Sequence, residues 1–376
     1  MKIVVAPDSF KGCLSSREAA LAVSQGVRDA LPDAEVVTVS VADGGEGTVD
    51  ALVAALHGRK MRTRVQDPLR RETEAVWGLA GDTAVIEMAA ASGLPLLAPE
   101  ERNPWNTTTY GTGQLIRAAL DAGCKRLLIG IGGSATNDGG TGMLEALGWR
   151  FYDADGCRLP GCGGSLGRIA RIDETAVPPE VRSAQYIVAC DVDTPLCGPD
   201  GASFVFGPQK GADPEMVERL DTGMRSFAGL VAETTGVSLA ENRPGTGAAG
   251  GLGGAFLAFL GARLIPGTEM VLEAVGFDAL LAGADLVITG EGKIDGQTAK
   301  GKLPAGVLRH ASAQGIPVVA VGGAVEWGTA LAAMGFRSVL EASADLSLAE
   351  AMRPAVARQR IRSVVSAFLL RGINID

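Results

Sequence analysis

"ADLVITGEG", residues 284–292, is the stretch that decides how this chain folds. Leu286 to Ile288 form an apolar run with no polar alternation, followed by a small acidic turn at Gly290-Glu291-Gly292, the pattern of a strand buried on both faces that ends in a polar loop. The chain opens in the same way: "KIVVAP" (2–7) runs into "DSFKG" (8–12). "SSREAALAVSQGVRDAL" (15–31) then sets Ala19, Ala22, Val23, Val27 and Leu31 near helical spacing behind a serine cap. "EVVTVSVADGGEG" (35–47) reads as a second strand ending in an acidic turn, and "TVDALVAALHG" (48–58) as a short helix closed by Gly58.

Two parallel strands cannot cover both their faces, so residues 1–60 are half a domain. The other half starts at 284–292 and continues with "GKLPAGVLRHASAQG" (301–315, helix), "IPVVAVGGAV" (316–325, strand), "WGTALAAMG" (327–335, helix), "RSVLEAS" (337–343, strand) and a last helix. The pattern predicts an α/β fold, a doubly wound parallel sheet in order 2-1-3-4-5 built from residues 1–60 and 283–376. Residues 61–282 become an inserted second α/β domain, opening with Thr- and Arg-rich alternating strands near "RTRVQDPLRRETEAVWGLAGDTAVIEMA" (62–89). An insertion at a loop brings both crossings together, so the active site is expected in a cleft between the two bodies.

Length and composition agree with two domains, since 376 residues exceed the roughly 250–300 at which single cores stop growing. With 34 Lys+Arg against 43 Asp+Glu, net charge −9, there is no basic footprint for nucleic acid. The 52 glycines are about twice the ~7% average and fall in tight clusters, which marks sharp turns and close approaches to ligands. Six cysteines without a CxxC pair and two separated histidines argue against zinc and for reduced thiols. The opening apolar run is too short for a signal peptide, and "AAGGLGGAFLAFLGA" (248–262) falls short of the ~20 residues of a membrane span. A soluble, cytoplasmic protein without membrane partners is expected.

In an open parallel sheet, ligands sit beyond the carboxyl ends of strands at the switch in strand order. In the order above, Asp8, Ser9 and Lys11 face one crevice with "TGEGKIDGQ" (289–297), and Asp43 and Glu46 lie nearby. A carboxylate there can hold Mg2+ or a proton, and Lys11 an anionic group. "RLLIGIGGSATNDGGTGMLEALG" (126–148) reads strand, glycine loop, helix, so Gly132, Gly133, Ser134, Thr136 and Asn137 would aim amides and hydroxyls at an anion on a helix N-terminus. Gly130 to Ala135 also satisfies GxGxx[GA], with acidic Asp153 and Asp155 downstream, which keeps a nicotinamide-dependent dehydrogenase in view. "GQTAKGKL" (296–303) approaches a Walker A loop but has Leu303 where Mg2+ needs a hydroxyl, so a P-loop is rejected. Asp191 and Asp193 end a strand and suit Mg2+ or a general base, and Lys210 in "FGPQKGA" suits a phosphoryl oxygen. "RPGTGAAGGLGGAF" (243–256), with Gly250 and Gly251, suits either backbone contact with an anion or adenine, or close helix packing.

Seven motifs in this order, "APDSFKG", "ADGGEGT", "GIGGSATNDGG", "CDVDTPLCG", "GPQKGA", "GTGAAGGLG" and "TGEGKIDGQTAKGK", resemble the bacterial glycerate kinase family of the first type. The resemblance implies a flavodoxin-like domain interrupted by a second α/β domain. It also implies transfer of the ATP γ-phosphoryl group to D-glycerate with Mg2+ in the cytoplasm, at O2 to give 2-phosphoglycerate or alternatively at O3. The one departure is Cys13, directly after "APDSFKG", where the resemblance implies a small residue such as Ser. On this reading Asp191 is the first choice of base and Asp43 the second, with Lys11, Lys210, Lys293 and Lys302 as charge clamps. Asp8, Ser9, Lys11, Glu46, Lys293 and Asp295 would hold glycerate, and Asp193 and Glu291 the metal. Gly132, Gly133, Ser134, Thr136, Asn137, Lys210, Gly250 and Gly251 would hold ATP. The reading leaves a monomer and a homodimer both open.

Overall fold

The computed structural model describes residues 1–39, 41, 47–239 and 243–372. The chain divides into two compact units, residues 1–56 with 268–376, and residues 57–267.

In the first unit a five-stranded sheet runs Ser338–Glu341, Val318–Val325, Leu286–Ile294, Lys2–Pro7, Glu35–Thr38, with every neighbouring pair parallel. That is the flavodoxin-like order 2-1-3-4-5. Lys2–Pro7 lies beside Leu286–Ile294 with Ile3 opposite Leu286 and Pro7 opposite Gly290, so the half-domains join at the centre of the sheet. Both faces are covered, which is why these strands carry no polar alternation. Ile3, Val5, Leu286, Ile288, Val319 and Val321 meet helices Ser16–Ala30 and Pro354–Leu370 on one side. Helix Leu303–Ala313 packs against the strands as well. Helix Ser16–Ala30 starts in a capping box, Ser15 Oγ accepting from Glu18 N while the Glu18 carboxylate accepts from Ser15 N.

The expected boundary at 282/283 differs from the observed one, because residues 268–282 pack with the first unit. Among the contacts that hold them there is a charged clasp on His310 of helix Leu303–Ala313: Nδ1 lies 2.6 Å from Asp278 and Nε2 3.0 Å from Glu269, which also accepts from Arg309. Both nitrogens face carboxylates, and only the imidazolium can donate from both. Burial opposes that charge, but the hydrogen bonds to Asp278 and Glu269 outweigh it and raise the pKa above 6.5. A raised native pKa gives stability that is fully present below the unfolded value and lost as pH rises through the native one. His310→Gln should therefore lower the urea midpoint at pH 6, a stability loss of up to about 1 kcal/mol, and match the parent protein at pH 9. An equal deficit at both pH values would show the clasp to be uncharged.

The second unit holds a six-stranded sheet in the order Arg263–Ile265, Gln185–Ala189, Arg126–Gly130, Thr83–Glu87, Glu72–Ala80, Arg59–Gln66. The first four are parallel and the last two antiparallel, in line with the alternating pattern at 62–89. A three-stranded antiparallel sheet of Arg158–Leu159, Arg150–Tyr152 and Arg171–Asp173 accompanies it. The core of this unit includes Trp77, Trp149, Tyr186, Phe227 and Phe256. No helix among the described residues is long and apolar enough to cross a membrane.

Candidate active site

In the first unit the turn after Lys2–Pro7 and the carboxyl-terminal end of Leu286–Ile294, which runs as strand through the Gly290-Glu291-Gly292 expected to be a turn, line one cavity of about 610 Å3. Asp8, Ser9, Lys11, Glu291, Lys293 and Lys302 all reach it. The first turn is tight: Phe10 N donates to Leu14 O at 2.9 Å, Cys13 N to Phe10 O at 2.8 Å, and Gly12 takes φ +75°, a left-handed conformation that glycine adopts without strain. Asp8 continues the strand ladder through its N–H to Gly290 O at 2.8 Å, which fixes its buried carboxylate at the strand end.

Glu291 is 6% exposed and has both oxygens engaged, Oε1 accepting from Thr298 Oγ1 at 2.6 Å and Oε2 from Lys302 Nζ at 3.0 Å. Lys293 donates to Glu326 at 2.6 Å, and that bond, with help from Asp295, holds its ammonium pKa above the ordinary lysine value. Asp295 does not line the cavity; it accepts from Gln297 N at 2.8 Å, and this backbone bond, aided by Lys293, keeps its carboxyl below the usual range. The cavity rim therefore carries cations paired with carboxylates on flexible stems, an arrangement from which an incoming polyanion can recruit Lys293 and Lys302 by exchange.

The second unit holds the other expected residues. Asp191 is exposed beyond Gln185–Ala189, with Oδ1 accepting from Gly267 N at 2.9 Å. Asp193 is exposed in the same loop. It belongs to a different unit from Glu291, its expected partner in metal binding. Asp43 and Glu46 lie outside the described residues.

The glycine loop differs from the expectation in an instructive way. The helix after it, Thr141–Ala146, is one short turn and a half, and its amides are already satisfied. Asp138, fully buried, accepts from Gly140 N (3.0 Å), Gly142 N (3.1 Å), Thr109 N (2.8 Å) and Thr109 Oγ1 (2.8 Å). The anion at this helix start is thus the chain's own carboxylate, whose pKa burial pushes up against the pull of those bonds. Lys210 is equally internal: 1% exposed, it donates to Ser134 Oγ at 2.8 Å and Thr136 O at 2.7 Å. Burial depresses its pKa to about 7 despite the charge of Asp138. Thr136 and Asn137 are fully buried, and Asn137 Nδ2 donates to Ser203 Oγ at 2.9 Å. Gly250, at φ +68°, leaves no room for a Cβ, which would stand 2.1 Å from Thr136 O, so Gly250 and Gly251 serve close packing. Gly132 and Gly133 remain exposed at the tip, and Thr136 Oγ1 and Asn137 Oδ1 find no protein partner. Asp138 was not among the expected site residues; its signal in the sequence is an acidic residue just before a helix that lacks any other cap.

The family model for the glycerate kinase family matches residues 3–369. The chain belongs to the glycerate kinase family. A glycerate kinase of Bacillus subtilis (strain 168) is 50% identical over 327 residues, covering 86% of this chain and 85% of that protein. The glycerate 2-kinase of Escherichia coli (strain K12) is 47% identical over 327 residues, 86% of each. A crystal structure of a protein assigned as glycerate kinase 2 from Salmonella typhimurium LT2 matches with TM-score 0.89 at 47% identity, covering 99% of both chains. Membership in the glycerate kinase family overturns the dehydrogenase alternative for Gly130–Ala135. The physical reason is local: a dinucleotide fingerprint needs its glycines at the first turn of a helix, whereas here the helix begins only at Thr141 and is capped by Asp138.

Proposed function

We propose that the protein transfers the γ-phosphoryl group of ATP to O2 of D-glycerate, giving 2-phosphoglycerate and ADP. The observation that carries this reading is the convergence of Asp8, Ser9, Lys11, Glu291, Lys293 and Lys302 on one cavity at the switch point of the sheet, in a chain whose relatives are named glycerate kinases. Phosphoryl transfer needs positioning and positive charge around a crowded anion rather than covalent help from the protein. Lys11, Lys293 and Lys302 supply that charge. Asp8 and Ser9 supply an acceptor and a donor for the hydroxyls of glycerate, and Asp191 accepts the proton of the attacking O2 hydroxyl as the O2–phosphorus bond forms. ADP leaves with the electron pair of the broken bond.

Mg2+ enters this proposal as part of MgATP. Among the described residues no three His, Cys, Asp or Glu side chains gather as a metal cluster, and Lys302 and Thr298 occupy Glu291. A magnesium ion held by phosphates and water asks the protein for only one or two carboxylates, which the exposed Asp193 can provide. A cytoplasmic setting is part of the same proposal, supported by six unpaired cysteines of the kind reducing compartments preserve.

The test is a proton-coupled 31P spectrum of the product made from D-glycerate and MgATP. Phosphorus on O2 couples to the single proton of C2 and gives a doublet. A triplet, from the two protons of C3, would assign 3-phosphoglycerate instead, and no new ester resonance would remove the kinase reading.

A further inference from the structure

The cavity of the first unit is far larger than glycerate requires. A three-carbon acid displaces on the order of three or four waters, at about 30 Å3 each, whereas the cavity measures about 610 Å3. That volume falls in the range of roughly 300–1,000 Å3 typical of sites for larger organic ligands. Its lining is also mixed. Lys11, Lys293 and Lys302 share it with the carboxylates Asp8, Glu291 and Glu341, and Ala344, Leu346, Leu348, Met352 and Ile361 add apolar surface. Leu348 is 78% exposed and Met352 40% exposed, apolar surface on a cavity lip that an apolar ligand would cover. A three-carbon hydroxyacid has no apolar part to place there.

Resting on the kinase reading above, we infer that this cavity takes the purine nucleotide, with the base and ribose against Leu346, Leu348 and Met352 and the phosphates toward Lys11, Lys293 and Lys302. A flat heteroaromatic ring joined to a polyanion is a chemistry that uses both the apolar side chains and the lysines of this lining. The place is right, since the cavity lies at the carboxyl ends of Lys2–Pro7 and Leu286–Ile294, where the strand order switches and open α/β sheets receive nucleotides. The rival location is depleted. In the glycine loop of the second unit, Lys210 is buried on Ser134 and Thr136, and Asp138 consumes the amides of Gly140 and Gly142. That loop leaves open the exposed tip at Gly132 and Gly133 and the buried oxygens Thr136 Oγ1 and Asn137 Oδ1, with no lysine free to meet a phosphate.

Calorimetric titration of MgADP into the intact protein and into Ala344→Trp and Leu348→Glu tests the inference. Both positions are exposed, so the fold should survive, as thermal melts will register. The tryptophan fills the cavity, and the glutamate sets a charge among its apolar side chains. Each variant should bind MgADP at least about tenfold more weakly, a loss of about 1.4 kcal/mol, and the KM for MgATP should rise more than the KM for glycerate. MgADP affinity unchanged in the folded variants, or no MgADP binding by the parent protein, overturns the inference. The two readings fail separately: phosphoglycerate production with variant-insensitive MgADP binding removes the cavity assignment alone, and variant-sensitive MgADP binding without phosphoglycerate production removes the kinase assignment alone.

Discussion

Asp191→Asn is expected to lower kcat by about 10²–10⁴-fold, the usual contribution of a general base, while MgADP affinity stays nearly unchanged. The substitution suits the question because of how Asp191 is held. Its Oδ1 accepts from Gly267 N at 2.9 Å, and an asparagine oxygen can keep that bond. The loop geometry survives, and what is removed is the capacity to take a proton. A loss confined to kcat would mark an interaction made only in the transition state, whereas a matching rise in the KM for glycerate would mark uniform binding. A near-normal rate removes Asp191 from the role and makes Asp43 the next carboxylate to replace.

Asp138→Ala should be the most destabilising single change in the second unit, at roughly 3–5 kcal/mol by analogy with breaking a buried ion pair. The alanine strands four donors at once, Thr109 N, Thr109 Oγ1, Gly140 N and Gly142 N, in a place that water does not reach. It also removes the charge that favours the ammonium of Lys210. The urea midpoint of the second unit should fall, and Lys210→Met in the same background should cost less than it does alone, since the two side chains share one network. Additive losses, or a midpoint close to that of the parent protein, would show that the loop holds its shape without them.

The sheet of the first unit was legible because its chemistry is local. Ile3-Val4-Val5 and Leu286-Val287-Ile288 have no polar alternation, so they had to be central strands, and the first helix announces itself by its cap Ser15. The cavity residues were legible for the same reason: Asp8, Lys11 and Glu291 interrupt apolar strands at their ends. What the sequence hid depends on partners far along the chain. Residues 268–282 fall inside the inserted domain on the sequence pattern, and partners far along the chain, among them Gly301 for Thr268, His310 for Glu269 and Asp278, and Lys2 for Ala282, place them in the first unit. Lys210 in a glycine-rich turn reads as an exposed phosphate ligand, but its acceptors on Ser134 and Thr136 lie 76 and 74 residues away. Asp138 between Asn137 and Gly139 reads as a turn former, and Thr109, 29 residues earlier, converts it into a buried cap.

The seam down the middle of the first sheet has a consequence for biosynthesis. Lys2–Pro7 leaves the ribosome early, yet its neighbour Leu286–Ile294 follows only after the whole second unit has been made. At about 5–20 residues per second the wait is on the order of tens of seconds. During that interval Ile3, Val5, Val23 and Val27 have no lasting cover, while residues 57–267, contiguous in the chain, are free to fold. The newborn chain therefore carries a sticky, half-built sheet ahead of a finished one, and chaperone demand should peak before residue 294 emerges.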